Sequence, residues 1–302
     1  MAFGHGTTNA VDEAAWLVTA ALAMRFEALP AALNRALMPA ERRRIDALVA
    51  RRINTRTPTA YLTGEAWLGE YRFRVDPRVI VPRSFIAELL QDHMRPWVAR
   101  PHRVRRILDL CTGSGCLAII AASRFPQAQV DAVDLSGPAL AVARRNVRDY
   151  RLTDRIRLLA GDLFEPLGAD ARYDLILANP PYVDANAMAK LPPEYLHEPA
   201  LSLAGGRDGL DLVRRIVRGA SARLAPEGLL VVEIGHRRAL AERVFPALPM
   251  TWPSVSGGDD CVFVVQAQDL PSASSGVPAR RSRPSRGSGE PPPARVRGAR
   301  HG

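Results

Sequence analysis

Ile107-Leu108-Asp109-Leu110-Cys111-Thr112-Gly113-Ser114-Gly115-Cys116 reads as a short apolar strand that runs into a glycine-rich turn and opens a helix. Glycines in such a turn let backbone N–H groups approach a ligand closely. A dinucleotide site would carry GxGxxG, with a pyrophosphate on the helix N-terminus. Here the helix continues as Cys116-Leu117-Ala118, without the third glycine. The pattern D-x-x-x-G-x-G, Asp109 to Gly115, fits instead a nucleoside with an amino-acid tail and no phosphate; a plain tight strand-to-helix turn is the other reading.

Around this stretch the chain repeats strand, turn and helix. VRRILDL is followed by CLAIIAASRF, QVDAVDL by PALAVARRNVRDY, and RIRLLAG leads on to YDLILANPPYV. Short apolar strands alternating with helices predict an α/β fold, a parallel sheet covered on both faces. Two more strands are expected near 229–235 and 261–266. The last is entered through Gly257-Gly258-Asp259-Asp260, turn residues that suit a closing antiparallel strand.

Upstream the period changes. From Asp12 to Ile53 apolar residues recur every three or four positions (Trp16, Leu17, Ala20; Ile45, Leu48, Val49), as amphipathic helices require. Between 58 and 82, Tyr71, Phe73 and Val75 alternate with Arg72, Arg74 and Asp76, the two-residue repeat of a half-buried strand. Beyond Leu270, six Pro, six Ser and five Gly with almost no apolar residue cannot bury enough surface to fold. The expected organisation is a helical docking domain (1–57), a β-hairpin linker (58–82), an α/β domain (83–270) and a disordered tail (271–302).

That tail holds seven Arg against Glu290, so it carries +6 of the formal net charge of +10. Lys190 is the only lysine, and a bias this strong toward Arg weakens the high isoelectric point as a sign of a nucleic-acid substrate. The tail would contact RNA weakly or simply keep the chain soluble. The three cysteines form no CxxC pair and have no His at ligand spacing, which argues against a zinc site and a disulfide framework, so no metal is expected. The apolar run Ala14–Met24 is too short to span a bilayer and follows Asp12 and Glu13. A buried helix, a reducing cytoplasm and no membrane contact are the expectations.

Three further loops carry chemistry. Asp134 follows AVDL about twenty residues beyond the glycine turn, where an acidic side chain accepts both ribose hydroxyls. It is also placed to cap the next helix, although Ser136 competes for that role. Gly161-Asp162-Leu163-Phe164 lies where an adenine edge would rest, with Asp162 as acceptor for the exocyclic amine; a surface turn is the alternative. Asn179-Pro180-Pro181-Tyr182 ends YDLILA at the carboxyl edge of the sheet, where open α/β folds bind ligands.

Two consecutive prolines fix the backbone and leave carbonyls unpaired. An amide nitrogen is a poor nucleophile because its lone pair is delocalised. A site that methylates it must hold both N–H groups and aim the nitrogen, and the Asn179 side-chain oxygen and the Pro180 carbonyl supply two acceptors. Tyr182 would pack its ring on the planar acceptor, so that positioning supplies much of the rate.

Together these residues resemble the class I methyltransferases that act on planar amide or exocyclic amino nitrogens. P-T-A-Y-L-T-G-E-A-W (Pro58–Trp67) and V-P-R-S (Val81–Ser84), behind a helical N-terminus, resemble the HemK-like protein-glutamine methyltransferases over roughly residues 10–268. The release-factor branch of that family has P-R-x-x-T-E, whereas here Pro82-Arg83-Ser84-Phe85-Ile86-Ala87 lacks the Thr-Glu. The chain is more similar to the branch acting on the third large-subunit ribosomal protein.

The resemblance implies a Rossmann-like, mostly parallel seven-stranded sheet with an antiparallel last strand, and S-adenosyl-L-methionine as cofactor. It implies that Asp109, Cys111, Thr112, Gly113, Ser114 and Gly115 hold the methionine part, Asp134 the ribose, and Asp162 and Leu163 the adenine. Asn179, Pro180, Pro181 and Tyr182 would form the acceptor site, with Asn179 also touching the cofactor. His197-Glu198-Pro199-Ala200-Leu201 and Ala204–Leu210 would flank it, Glu198 contacting the substrate. Cys111 departs from the glycine of many relatives, and the Arg-rich tail has no counterpart in the pattern. Two rivals share the motif: a glutamine methyltransferase of release factors, and a nucleic-acid amino-methyltransferase on adenine or guanine. A non-catalytic assembly factor on the same fold is a third reading.

Overall fold

The computed structural model describes residues 1–271; the Arg-rich tail and any RNA contact it makes lie outside the described residues. The chain opens with α1 (Ala10–Ala21), α2 (Leu29–Ala32), α3 (Pro39–Thr55) and α4 (Thr59–Thr63), followed by the hairpin β1 (Glu65–Leu68) and β2 (Tyr71–Arg74). The α/β part is α5 (Ile86–Gln91), β3 (Arg106–Leu110), α6 (Cys116–Arg124), β4 (Gln129–Asp134), α7 (Gly137–Asp149), β5 (Ile156–Ala160), β6 (Tyr173–Ala178), α8 (Ala185–Met188), α9 (Asp211–Ala220), β7 (Leu224–Glu233), α10 (Arg238–Val244) and β8 (Val262–Gln266).

Helix starts follow from their first residues. Asn9 accepts from Val11 N and Asp12 N to cap α1, Pro39 opens α3 with Glu41 reaching back to Met38 N, and Ser136 Oγ accepts from Ala139 N to cap α7. The cap at α7 is therefore Ser136, which leaves Asp134 for another task. Leu17 and Ala21 are buried in protein, as expected of the apolar N-terminal helix. Among the described residues no single helix is long and apolar enough to cross a membrane, although the bent pair Ala10–Ala21 and Phe26–Ala32 has the length and composition together.

The main sheet has six strands in the order β5-β4-β3-β6-β7-β8, all parallel except β8. Seven were expected. The seventh is reduced to one antiparallel bridge, Thr251 to Val264, because Pro249 and Pro253 flank that segment and a proline cannot donate to a ladder. Strand direction of growth reverses between β3 and β6, the switch point at which open α/β sheets bind ligands.

One face of the sheet packs on α5, α6, α7 and the hairpin, the other on α9 and α10. Leu117 to Ala122 of α6 are all buried, and each large apolar side chain such as Ile119 or Ile120 contributes about 1.5–3 kcal/mol by leaving water. The hairpin, only 65–74 rather than the whole of 58–82, is docked. The outer edge of β2 is satisfied by side chains of α7 and of Tyr150 just beyond it: Tyr150 Oη accepts from Arg72 N and donates to Arg72 O, while Asn146 accepts from Arg74 N and donates to Arg74 O.

The helical region is fastened to the segment before the second core by buried charges. Glu194 accepts from Arg52 (3.4 Å), Arg56 (3.3 Å) and Ala2 N (3.0 Å), and Arg52 also bonds Glu13 (3.1 Å). Buried charges persist only when paired in this way.

Candidate active site

Four strand ends meet at the switch point and line an open cleft. Cys111 and Gly113 come from the turn after β3, Asp134 and Leu135 from β4, Gly161, Asp162 and Leu163 from β5, and Asn179 and Pro181 from β6, with Leu201, Ser202 and Leu212 opposite. Sequence spacing carried no sign of Ile80, Leu135, Ser202 or Leu212, which arrive through the fold, whereas Leu201 belongs to the segment expected to flank the acceptor.

The turn after β3 needs left-handed backbone at three places: Cys111 (φ 59°), Gly113 (φ 56°) and Gly115 (φ 80°). At Cys111 this costs about 1–2 kcal/mol that glycine would avoid. Burial pushes the Cys111 thiol well up, with Asp134 and Asp109 adding to it, so it is a neutral wall group rather than a nucleophile. A Cβ on Gly113 would meet nothing within 4 Å, so its backbone faces the open cleft.

Asp109, Thr112, Ser114 and Gly115 do not line the cleft; they hold the turn from behind. Asp109 is fully buried and accepts from Thr112 Oγ1 (2.5 Å) and Ala118 N (3.1 Å), leaving Oδ1 without a partner among the described residues. Burial raises its carboxyl to about 7. Ser114 gives its carbonyl to Asn146 Nδ2 at 2.9 Å, so one buried amide ties the cleft turn to the hairpin edge. Asn146 had no signal in the sequence beyond its place on an amphipathic helix.

Asp134 accepts from Gly113 N and Ser136 N, both at 2.8 Å, one on each oxygen. Each oxygen keeps a further lone pair, and burial raises this carboxyl too. Asp162 Oδ2 accepts from Arg215 Nη2 at 2.9 Å, which leaves Oδ1 as its free acceptor among the described residues. Leu163 is buried beside it with φ 51°.

The cleft is mostly apolar, holds two carboxylates and has no basic side chain among its lining residues. That donor set disfavours phosphate and favours a neutral nucleoside joined to a cationic group. S-adenosyl-L-methionine meets this description: ribose hydroxyls for Asp134, an aromatic base for Leu163, a sulfonium cation for an acidic cleft.

At the acceptor corner Pro180 is buried and Asn179, Pro181 and Tyr182 are half-buried. Among the described residues no hydrogen bond engages the Asn179 side chain or the Pro180 carbonyl, whereas Tyr182 O accepts from Arg237 Nε (2.9 Å) and Val183 pairs with Leu203 and Gly205. Three glycines make room for Tyr182. A Cβ on Gly205 would lie 2.6 Å from its Cα, on Gly209 2.4 Å from its carbonyl oxygen, and on Gly235 2.9 Å from its ring. Glu233, at the end of β7, is buried and raised to about 7 by that burial; it accepts from Ser84 Oγ (2.6 Å) and Phe85 N (2.9 Å), with Tyr182 Oη 3.5 Å away.

Glu198 is corrected by the structure. Expected at the substrate, it is 5% exposed and has both oxygens occupied: Arg83 donates to Oε1 (2.6 Å) and Oε2 (2.7 Å), and Val81 N donates to Oε1 (2.9 Å). It braces the V-P-R-S segment against the loop after the acceptor corner. The fold also brings His236 to the adjacent pair Asp260 and Cys261, about 25 residues on, in a mutually hydrogen-bonded group.

Residues 87–204 match the methyltransferase small domain, and residues 4–64 match the PrmC N-terminal domain. The chain is 52% identical over 268 residues to the ribosomal protein uL3 glutamine methyltransferase of Neisseria meningitidis serogroup B, covering 89% of this chain and 88% of that protein. It is 53% identical over 270 residues to that of Bordetella pertussis, covering 89% and 90%. Against that of Bradyrhizobium diazoefficiens it is 49% identical over 276 residues, covering 89% and 86%. Among solved structures, the hMettl16 catalytic domain in complex with a MAT2A 3'UTR hairpin superposes with a TM-score of 0.50 at 16% identity, covering 75% of this chain and 80% of that one, a likeness of fold. With half of its residues shared over nearly its whole described length, the chain belongs to the family of the ribosomal protein uL3 glutamine methyltransferases.

Proposed function

We propose that this chain methylates the side-chain amide nitrogen of a glutamine in ribosomal protein uL3, with S-adenosyl-L-methionine as methyl donor, in the cytoplasm where ribosomes assemble. The observation that carries the reading is the state of the acceptor corner: Asn179 lines the cofactor cleft, and among the described residues no donor engages its side chain or the Pro180 carbonyl.

Asp134 would accept the ribose hydroxyls, and Asp162 Oδ1 the exocyclic amine of the adenine beside Leu163. When bound, the cofactor supplies a methyl group on a positively charged sulfur. Asn179 Oδ1 and the Pro180 carbonyl accept one amide hydrogen each, which fixes the carboxamide plane and leaves its nitrogen face directed at the cleft. Pro181 and Tyr182 wall the acceptor, and the Tyr182 ring packs on its plane. Burial keeps the Cys111 thiol protonated, so this residue walls the cleft. The helical region 1–57 docks the protein substrate; its fastening through Glu194 to the segment beside the acceptor corner supports that role.

Purified uL3, labelled cofactor, and native or Asn179→Ala enzyme test this. Native enzyme labels uL3, and the variant binds cofactor but transfers nothing; full transfer by Asn179→Ala would overturn the assignment.

A further inference from the structure

We infer that Arg237 is the positioning residue that sets the acceptor corner, an inference that rests on the glutamine-methylating reading above. Its guanidinium donates to three separate segments. Nε bonds Tyr182 O at 2.9 Å, Nη1 bonds Asp208 O at 3.1 Å, and Nη2 bonds Asp184 Oδ2 at 2.6 Å. Asp184 is fixed from its other side, because its Oδ1 caps α8 by accepting from Ala187 N at 2.8 Å.

The need for this fork comes from the prolines. Pro180 and Pro181 have no N–H, so the backbone cannot be pinned at either by donating. After β6 ends at Ala178, the holds the structure gives the chain begin at Tyr182 O, bonded by Arg237, and at Val183, bonded to Leu203 and Gly205. The direction in which the Asn179 and Pro180 oxygens point is therefore set between the strand on one side and Arg237 on the other.

The surroundings are built for this contact. A Cβ on Gly209 would lie 2.4 Å from Tyr182 O and 2.8 Å from Arg237 Nε, so the bond forms only because residue 209 has no side chain. Gly235, two residues before Arg237, lets the end of β7 approach the Tyr182 ring. One short segment thus holds both the ring and the carbonyl of Tyr182. A planar fork reaches three acceptors in three directions; a lysine ammonium on a single stem does not reproduce it.

The test compares native enzyme with Arg237→Ala and Arg237→Lys. A misplaced acceptor lowers kcat by about 10- to 100-fold in both variants, while cofactor Kd and the KM for uL3 stay within about twofold. Methylguanidinium added to Arg237→Ala restores part of kcat, which a merely structural loss would not allow. Hydrogen exchange on cofactor-bound enzyme gives a readout independent of substrate: amides of residues 182–188 exchange faster in the variants, and those of 107–116 do not. Folded variants with native kcat and native exchange would overturn the inference, as would a loss of cofactor affinity matching the loss of kcat. If native enzyme leaves uL3 unlabelled the proposed function fails, and the exchange pattern still decides the role of Arg237.

Discussion

Glu198→Gln separates a brace from a substrate ligand. The Glu198 carboxylate is buried with Arg83 bonded to both oxygens, Val81 N on one of them, and His5 Nε2 3.6 Å away. Burial alone would raise this carboxyl; Arg83, assisted by His5, overrides it and holds it at about 2 against an ordinary 4.5. A depression of that size contributes about 3 kcal/mol at neutral pH.

Because the folded value lies below the unfolded one, the contribution is complete above about 4.5 and is lost as pH falls toward 2. Glutamine keeps the shape but leaves the Arg83 charge without its partner, a loss of about 3–5 kcal/mol for a buried pair. For a chain of this size that lowers the melting temperature by roughly 6–15 °C at pH 7. Thermal unfolding of both proteins from pH 7 down to pH 2.5 should show the gap narrowing below pH 4.5. The KM for uL3 should be native in the folded variant. A variant within about 1 kcal/mol of native stability, with a raised KM, would refute the reasoning and return Glu198 to the substrate.

Three further outcomes follow from the same geometry. Asn146→Ala strands the Ser114 carbonyl and both polar groups of Arg74, so it should cost about 2–4 kcal/mol in denaturant melts and weaken cofactor binding with them. Asp134→Asn should weaken cofactor binding roughly 10- to 100-fold by calorimetry, the worth of hydrogen bonds to a charged acceptor, with little change in kcat at saturation. Cys111→Gly removes a left-handed non-glycine residue and gives up a wall contact, so melting should place it within about 1 kcal/mol of native with cofactor binding intact.

The parts of the fold legible in the sequence were those written locally. The strand and glycine turn at Ile107–Gly115, the acid that ends β4 and the proline-locked end of β6 each announce themselves within a few residues. Contact across the sheet did not. Asn146, Glu233 and Arg237 act through partners 32 to 72, 149 and 55 residues away, and no spacing rule links them. Glu198 sat in a motif that flanks the acceptor, but what its carboxylate touches was decided by Arg83, 115 residues upstream. Asp162 reads as a free acceptor until α9 brings Arg215 to one of its oxygens. The seventh strand failed for a local reason, a proline on either side of Thr251, yet local reading alone does not show that one bridge replaces a ladder.

The most direct test of the acceptor corner is a tandem mass spectrum of uL3 after incubation with native enzyme and S-adenosyl-L-methionine. One methyl on the side-chain nitrogen of a single glutamine, missing when Asn179→Ala replaces the native enzyme, is the predicted result. A methyl on another residue type, or unmodified uL3 beside methylated nucleic acid in the same reaction, would contradict a corner that recognises a carboxamide.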